Sequence, residues 1–274
     1  MLIAQITDMH VKTQGEMLAP GLDSYAGLAA ALGRIGGLDP QPDLLVATGD
    51  LTADGKPEEY RALRDLLSSL SMPYLLLPGN HDIRENMREA FPDQPWEDGR
   101  FLLSAVDDWP VRFIGLDSVV AGKPHGEICA GRRRWLDGKL AEAPDKPTIV
   151  MLHHPPFVTG IAYMDAMGLN DPAGLGEVIA RHNQVIRILC GHIHRPVQTL
   201  FAGTMASVAP ATSFQVGLKL DQSQGILLTK EPPAFQLHRW TPAGGLVSHT
   251  AYVEEHGLWV RPAHYKSAAE PGKD

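Results

Sequence analysis

Aspartate, asparagine and histidine side chains recur where the apolar runs of this chain end, and these residue types can bind metal ions together. The first pair, Asp8 and His10, directly follows the opening apolar run. Equivalent positions further along are Asp50, Asn80, His81, His153, His154, His192 and His194. Carboxylates and neutral imidazoles suit transition metals, whereas an all-oxygen set would indicate calcium or magnesium. The pattern therefore predicts a transition-metal site.

The number of candidate ligands predicts two metal ions rather than one. Two-metal sites hold their ions about 3.5–4 Å apart, and a carboxylate usually bridges them. Asp50 is the expected bridge, because the remaining candidates leave several different strands. The two expected sets are Asp8, His10, Asp50 and His194 for one ion, and Asp50, Asn80, His153 and His192 for the other. Divalent or trivalent iron, manganese, zinc or cobalt fits such mixed ligands.

Each short motif also has an ordinary structural interpretation. Asp50 and Asn80 stand beside glycines, where turns are common. The pair His192 and His194 could equally lie on the surface. If all the motifs were structural, however, their polar groups would still need partners in a packed protein. Their joint presence therefore favours metal binding.

The elements that must position these side chains alternate between strands and helices. Buried strands are expected at 2–6, 44–47, 74–77, 101–106, 111–116, 148–152 and 185–190. Helices are expected at 23–32, 57–70, 131–141 and 172–182. This alternation predicts a largely parallel sheet, with ligands gathered at the carboxyl ends of its strands. From residue 197 onward, short β-like runs predict antiparallel strands, with a hairpin turn at Gly244 and Gly245.

Composition limits the class of protein. The chain has 274 residues, of which 44% are hydrophobic and 20% charged, as expected for one globular domain spanning 1–274. A net charge of −8 argues against binding to polymeric nucleic acid or an anionic membrane. The basic run 132–134 is interpreted as the solvated face of a helix. Disorder, if present, is expected only after Lys266.

Targeting signals are not evident in the sequence. The first residues lead directly into a strand rather than a signal peptide. No apolar stretch approaches the roughly 20 residues that span a bilayer. Cys129 and Cys190 are far apart and form no CxxC motif, so no disulfide framework is expected. The expected location is the cytoplasm.

Five ordered blocks of the sequence resemble the signature of the calcineurin-like metallophosphoesterase superfamily. They are residues 8–10, 49–50, 79–82, 153–156 and 191–194, within a resemblance that covers 1–196. Their exact residues look most similar to the bacterial cyclic-nucleotide phosphodiesterase and glycerophosphodiesterase branch.

This resemblance implies an α/β fold, a four-layer α-β-β-α sandwich of two mixed sheets flanked by helices, here with a β-rich C-terminal part. The alternation of strands and helices by itself predicts the helices but not the second sheet. Similar enzymes use the region equivalent to 214–233 for assembly. That segment is therefore a possible dimerisation hairpin, with a plain edge hairpin as the alternative, and a homo-oligomer is expected.

The expected reaction is hydrolysis of a small phosphodiester, either a cyclic nucleotide or a glycerophosphodiester, by a metal-bound hydroxide that attacks phosphorus. Asn80 would bind a metal and donate a hydrogen bond to the phosphate. His81 would stabilise the phosphate or protonate the leaving alkoxide, a role that the resemblance also implies. His154 and Asp117 are candidates for orienting a ligand, with plain packing as the alternative.

Two other functions stay open. One is a phosphomonoesterase acting on nucleotides or similar metabolites. The other is a metallophosphoesterase-like scaffold that binds partners without catalysis, although such a protein should have lost ligands. Substrate choice is expected to depend on loops 9–23, 157–169 and 209–214, which could wall the metal centre.

Overall fold

Two β-sheets lie face to face between two layers of helices in a computed structural model, which describes residues 1–220, 225–255 and 257. The strands are β1 (Leu2–Ile6), β2 (Leu44–Thr48), β3 (Tyr74–Leu77), β4 (Ser104–Val106), β5 (Arg112–Leu116), β6 (Gly126–Glu127), β7 (Thr148–Leu152), β8 (Leu169–Asn170), β9 (Val185–Cys190), β10 (Val197–Phe201), β11 (Thr204–Val208), β12 (Gln215–Val216), β13 (Leu228–Thr229), β14 (Ala234–Thr241) and β15 (Gly245–Tyr252). The helices are α1 (Ser24–Gly36), α2 (Pro57–Leu67), α3 (Arg84–Ala90), α4 (Ala130–Glu142), α5 (Ala162–Asp165) and α6 (Pro172–Ile179).

Both large sheets are mixed. The first has the strand order β15-β14-β1-β2-β3, in which β1, β2 and β3 are parallel and the two C-terminal strands antiparallel. The second has the order β10-β11-β9-β7-β5-β4, with four parallel strands from β11 to β5 and an antiparallel strand at each edge. The carboxyl ends of the parallel strands in both sheets carry the candidate ligands.

The core has three apolar clusters, because successive side chains of a strand point to opposite faces. On β2, Leu45 and Ala47 pack with residues of α1 and α2, whereas Leu44 and Val46 pack with residues of the second sheet. A third cluster covers the other face of the second sheet and includes side chains of α4 and α6. Four layers follow from this arrangement.

The predicted four-layer sandwich is confirmed, and most of the predicted elements are present. The two largest differences concern strands. The predicted strand at 101–106 begins only at Ser104, because the Leu102 amide donates to the Asp117 carboxylate (3.0 Å) rather than to a neighbouring strand. The strand β11 was not expected, since its internal alanine and serine have low strand propensity.

The sequence predicts antiparallel strands after residue 197, but this region also contains a parallel strand. Strand β11 lies parallel to β9, with Ala206 beside Ile188. The remaining late strands do pair antiparallel, and the turn between β14 and β15 contains Gly244 as predicted. Among the described residues, no helix is long and apolar enough to cross a membrane.

One part of the basic run was interpreted wrongly. Arg132 is not solvated but only 3% exposed, and its guanidinium donates to the Asp117 carbonyl (2.6 Å). It also lies over the ring of Phe101, with 4.1 Å between the guanidinium carbon and the ring centroid. A long side chain with a planar head can be buried when its donors find partners, and residue type alone does not reveal them.

The possible dimerisation hairpin contains a short antiparallel pair. Gln215 of β12 lies beside Thr229 of β13, and Val216 beside Leu228. Each strand is shorter than the apolar runs of the sequence suggest. Residues 221–224 and the tail after Lys266 lie outside the described residues, and dimerisation itself stays a prediction.

Candidate metal centre

All seven predicted metal ligands meet at one end of the sandwich, in a group that we call the metal floor. Its members are Asp8, His10, Asp50, Asn80, His153, His192 and His194. They follow β1, β2 and β3 of one sheet and β7 and β9 of the other. Because the carboxyl ends of these parallel strands meet at one edge, residues separated by almost two hundred positions come into contact.

Five members of the metal floor have a left-handed backbone that non-glycine residues rarely adopt. Their φ angles are 51° for Asp8, 44° for His10, 50° for Asp50, 73° for His192 and 51° for His194. Such conformations each cost on the order of 1–3 kcal/mol and cluster at functional sites. At these positions the left-handed backbone directs the side chain towards the metal floor.

The first ligand set meets around His194. Its Nε2 lies 3.2 Å from the Oδ1 of Asp8 and 3.1 Å from the Nε2 of His10. The His10 Nε2 lies 3.6 Å from the Oδ2 of Asp50. The Nδ1 of His194 donates to the Phe214 carbonyl (3.3 Å), which leaves its Nε2 lone pair directed at this cluster in the neutral ring.

The second set meets around Asn80. Its Oδ1 lies 3.2 Å from the Nε2 of His153 and 3.1 Å from the Nδ1 of His192. The Nε2 of His153 also lies 3.4 Å from the Oδ2 of Asp50. The Nδ1 of His153 donates to the Thr48 carbonyl (2.8 Å), so Nε2 is again the atom available as a ligand.

The chemistry of these donors fits bound cations. Burial would raise the pKa of Asp8, but the charges of His194 and His153 outweigh it and lower that pKa to about 2. Burial lowers the pKa of His153, yet the Asp50 and Asp8 carboxylates dominate and raise it to about 9. The buried carboxylates of Asp8 and Asp50 are thus stabilised by positive charge. Moreover, the buried Nε2 of His192 has no hydrogen-bond partner among the described residues.

Two glycines allow the backbone to approach the ligands closely. A Cβ on Gly79 would overlap the Asp50 carboxylate and amide, and a Cβ on Gly191 would overlap the Thr7 hydroxyl. The glycine that precedes the ligand in each of these motifs is therefore part of the packing of the centre.

His81 lies at the boundary between the metal floor and solvent. Its amide donates to the Oδ1 of Asp50 (2.9 Å), and its Nδ1 donates to the Ala53 carbonyl (2.7 Å). The second ring nitrogen is thereby left to act on a bound molecule. One ring nitrogen of His81 also lies within 4.8 Å of ligand atoms of His10 and Asp50, so a ligand role is geometrically open.

The two candidates for orienting ligands differ. His154 is buried against the floor, with its ring centroid 4.7 Å from that of His192, but its nitrogens contact Ser118 (2.8 Å) and the Pro124 carbonyl (3.1 Å). Asp117 instead binds Arg84 through two hydrogen bonds. Neither makes a hydrogen bond to the metal floor in the described structure. A ring nitrogen of His154 lies within 4.8 Å of ligand atoms of His153 and His192, so a ligand role is geometrically open for His154.

Asp82 was not assigned a role from the sequence, although it belongs to the 79–82 block. Its buried carboxylate accepts hydrogen bonds from the Leu51, Thr52 and Gly79 amides and from the Tyr60 hydroxyl (2.9–3.2 Å). Burial and the Asp50 charge raise its pKa to about 6. These bonds tie the loop after β2 to the loop after β3 and so position Asp50 beside Asn80.

A cavity of about 370 Å³ opens above the metal floor. Most of the remaining lining is apolar, and we call this part the apolar wall: Leu18, Leu22, Tyr163, Met164, Met167, Phe214, Val216, Ile226 and Leu228. The three loops expected from the sequence all contribute to it. Pro124, Val216, Ile226 and Leu228 line the cavity from outside those loops, and only the folded structure reveals them.

The four-layer sandwich with aspartate, asparagine and histidine ligands at its strand ends defines a metallophosphoesterase. A family model described as calcineurin-like phosphoesterase matches residues 1–196. The chain belongs to this family, as the five sequence blocks indicated.

Several known proteins are similar over most of the chain. A protein of Arcobacter nitrofigilis named "Probable glycerophosphodiester phosphodiesterase GpdQ" is 36% identical over 255 residues, covering 92% of this chain and 93% of its own. The Escherichia coli K12 protein named "3',5'-cyclic adenosine monophosphate phosphodiesterase CpdA" is 33% identical over 213 residues, covering 78% and 76%. A Danio rerio dimetal phosphatase structure has a TM-score of 0.63 at 13% identity, covering 92% of this chain and 99% of its own, which supports the fold.

Proposed function

We propose that this protein is a two-metal hydrolase of small phosphodiesters, with a cyclic nucleotide or a glycerophosphodiester as its substrate. The observation that carries this proposal is the meeting of two ligand sets at Asp50, on the floor of an open cavity. A shared carboxylate between two sets of ligands is the arrangement that two-metal phosphoesterases need.

The class of enzyme is established by the relatives. The chain belongs to the calcineurin-like phosphoesterase family, and proteins named as phosphodiesterases are 33–36% identical to it. These findings confirm the predicted enzyme class, a metal-dependent phosphodiesterase. The number of ions, their identity as iron, manganese, zinc or cobalt, and the substrate are parts of the proposal.

Different residues would have different roles in the proposed hydrolysis. Bound cations would lower the pKa of water and offset the negative charge of the phosphate. Asp50 would hold both ions, and the Asn80 amide can donate a hydrogen bond to a phosphate oxygen. His81 donates its Nδ1 proton to the Ala53 carbonyl, so as an imidazolium it would also hold a proton on Nε2. It would donate this proton in a hydrogen bond to the phosphate, or transfer it to the leaving alkoxide and become neutral.

The cavity favours a diester over a monoester. Among the described residues that line it, none is lysine or arginine. A phosphomonoester is largely a dianion at neutral pH and would gain from an additional cation, whereas a diester is a monoanion. The phosphomonoesterase alternative therefore has less support.

Initial rates on two synthetic substrates test the proposal. The protein should be stripped of metal, reconstituted separately with iron, manganese, zinc or cobalt, and assayed with bis-4-nitrophenyl phosphate and 4-nitrophenyl phosphate. We expect faster hydrolysis of the diester, and none by protein kept in chelator. A clear preference for the monoester would contradict the diesterase proposal. A metal-loaded protein inert towards both, and towards cyclic AMP and glycerophosphoethanolamine, would support the non-catalytic scaffold.

The expected homo-oligomer is supported by exposed apolar side chains in the 214–233 segment. Leu218 is 59% exposed and Leu220 is 65% exposed. Burying such side chains between subunits would remove apolar surface from contact with water. The mass in solution should exceed that of one chain, and replacing both leucines with aspartate should lower it. A monomeric unmodified protein would contradict assembly.

A further inference from the structure

The apolar wall and the metal floor face the same cavity but offer a bound molecule opposite chemistry. Among the described lining residues, the floor and the adjacent His81 supply every charged side chain and every imidazole. Across the cavity, the tyrosine hydroxyl is the sole polar side-chain group of the wall. A phosphate held at the floor would therefore direct one of its ester groups towards a surface with almost no hydrogen-bonding side chains.

The part of the wall contributed by α5 is held in place by its own contacts. The Asp165 carboxylate accepts hydrogen bonds from the Thr159 amide and hydroxyl (2.8 Å each) and from the Gly160 amide (2.9 Å). Met164 is 3% exposed and packs in the core cluster beneath it. This surface is therefore formed before any substrate arrives.

The part near the mouth is markedly exposed for apolar residues. Tyr163 and Ile226 are each 44% exposed, and Leu228 is 53% exposed. These side chains come from two segments far apart in sequence, yet they line one cavity together with buried Val216. An apolar group that fills the cavity would remove this surface from water.

We propose that the apolar wall selects a phosphodiester whose alcohol carries an apolar group, an alkyl chain or a flat ring, rather than one whose alcohol is only a polyol such as glycerol. This inference rests on the proposed diesterase function and narrows its substrates, because it favours the cyclic nucleotide, whose flat base can lie against the wall, over a glycerophosphodiester that places glycerol there. Hydroxyl groups of a polyol would lose water at the wall with few side chains to replace it. Tyr163, Ile226 and Leu228 are thus specificity-determining residues.

The expected selectivity is moderate. A hydrophobic pocket rejects an added hydroxyl by only about a hundredfold, because part of the hydration can be retained at an open mouth. We therefore expect the apolar ester to bind about tenfold to a hundredfold more tightly than the polyol ester.

Inhibition by two symmetric diesters tests this inference. Di-n-pentyl phosphate and diglyceryl phosphate are both monoanions with equal numbers of non-hydrogen atoms, and their symmetry makes it irrelevant which ester group reaches the wall. Their inhibition constants should be measured against hydrolysis of bis-4-nitrophenyl phosphate by the manganese-loaded protein. The dipentyl ester should have the lower constant by the factor given above.

Matched variants separate the wall from general apolar binding. Leu228→Ser and Tyr163→Ala should each lower the ratio of the two inhibition constants several-fold. The controls Leu200→Ser and Tyr252→Ala remove residues that are 74% and 49% exposed outside this cavity, and should leave the ratio unchanged.

The outcomes distinguish the two levels of the proposal. Equal inhibition constants, or a ratio that the wall variants leave unchanged, would overturn the apolar-ester inference while bis-4-nitrophenyl phosphate hydrolysis still supports the diesterase. Absence of that hydrolysis would instead overturn the proposed function, and with it the inference that depends on it.

Discussion

The metal floor and the apolar wall face each other across one cavity, yet they are built in different ways. The floor consists of side chains at the ends of central strands, and five of its seven residues have a left-handed backbone. The wall consists of side chains from loops, short strands and the short helix α5, with buried members such as Met164 anchored in a core cluster. Strain is concentrated on the side that binds metal, and apolar burial on the other.

This difference indicates how stability and function are divided. Residues of the floor gather charge and unusual backbone geometry, which lower stability unless cations are bound. The buried residues of the wall, such as Met164 and Val216, pack in a core cluster, which stabilises the fold whether or not metal is present. Substitutions in the two regions should therefore have opposite consequences.

The largest effect is expected for Asp50→Asn. Because Asp50 is proposed to contribute to both ligand sets, the change should weaken the binding of both proposed ions and lower kcat by at least about 10³-fold. Asparagine tolerates a left-handed backbone, so stability of the metal-free protein should change by less than about 1 kcal/mol. Metal analysis, kinetics and urea unfolding in chelator would measure these effects. Full retention of one ion with near-normal turnover would show that Asp50 is not shared.

His81→Ala should lower kcat by about 10²–10⁴-fold while the metal content stays unchanged, since His81 is proposed to act on the phosphate or the leaving group. The matched control is His249→Ala, which removes an exposed histidine of β15 outside the cavity. Metal analysis of both variants would decide the role. If the His81 variant loses metal in parallel with activity, His81 belongs to the ligand set.

Met164→Ala should lower the stability of the fold rather than metal binding. The side chain is 3% exposed, so its truncation should lower the free energy of unfolding by about 2–4 kcal/mol. The bound metal should nevertheless remain at the level of the unmodified protein. Met17, which is 52% exposed, provides the control, and Met17→Ala should change stability by less than about 0.5 kcal/mol. Substantial metal loss in the Met164 variant would break the separation between wall and floor.

The smallest effect concerns the polar contacts beneath the floor. His238 is buried between the sheets, and its Nε2 donates to Gln5 (3.0 Å), whose amide donates to the Thr48 hydroxyl and the Cys190 carbonyl (3.0 Å each). Burial, aided by the charge of Arg187, lowers the pKa of His238 from 6.5 to about 3. The unfolded chain therefore binds this proton more readily than the folded one.

The resulting stability is present above about pH 6.5 and is lost as the pH falls towards 3. As the pH falls across that interval, the free energy of unfolding should decrease by about 1–3 kcal/mol less in His238→Gln than in the unmodified protein. Urea unfolding of both proteins in chelator, from about pH 4 to pH 7, would measure the difference. Parallel pH profiles would show that His238 is not the titrating group.

The floor could be predicted from the sequence because each ligand lies within a short motif at the end of an apolar strand. Asp8, Asp50 and His153 are identifiable by type and by their place after such a run. Their convergence follows from a general property of parallel sheets. The left-handed backbone at these positions has no local signal beyond the neighbouring glycines.

The wall could be predicted only in outline. Loops near a metal centre are natural candidates, which identified the segments that contain Tyr163 and Phe214. A hairpin that contains Ile226 and Leu228 was predicted at 214–233, but its position beside the cavity was not, because that position depends on tertiary contacts rather than local pattern. The same reason explains why Asp82 received no role: its importance lies in hydrogen bonds to two separate loops.

The central claim is that two ions bind here through separate sets that share Asp50, and Asp8→Asn tests it most directly. Asp8 is assigned to the first set only, since its Oδ1 lies 3.2 Å from His194 of that set and 4.0 Å from His153 of the other. Metal analysis after reconstitution and desalting should find about two ions per chain in the unmodified protein and about one in the variant. One ion in the unmodified protein, or two firmly held ions in the variant, would contradict the claim.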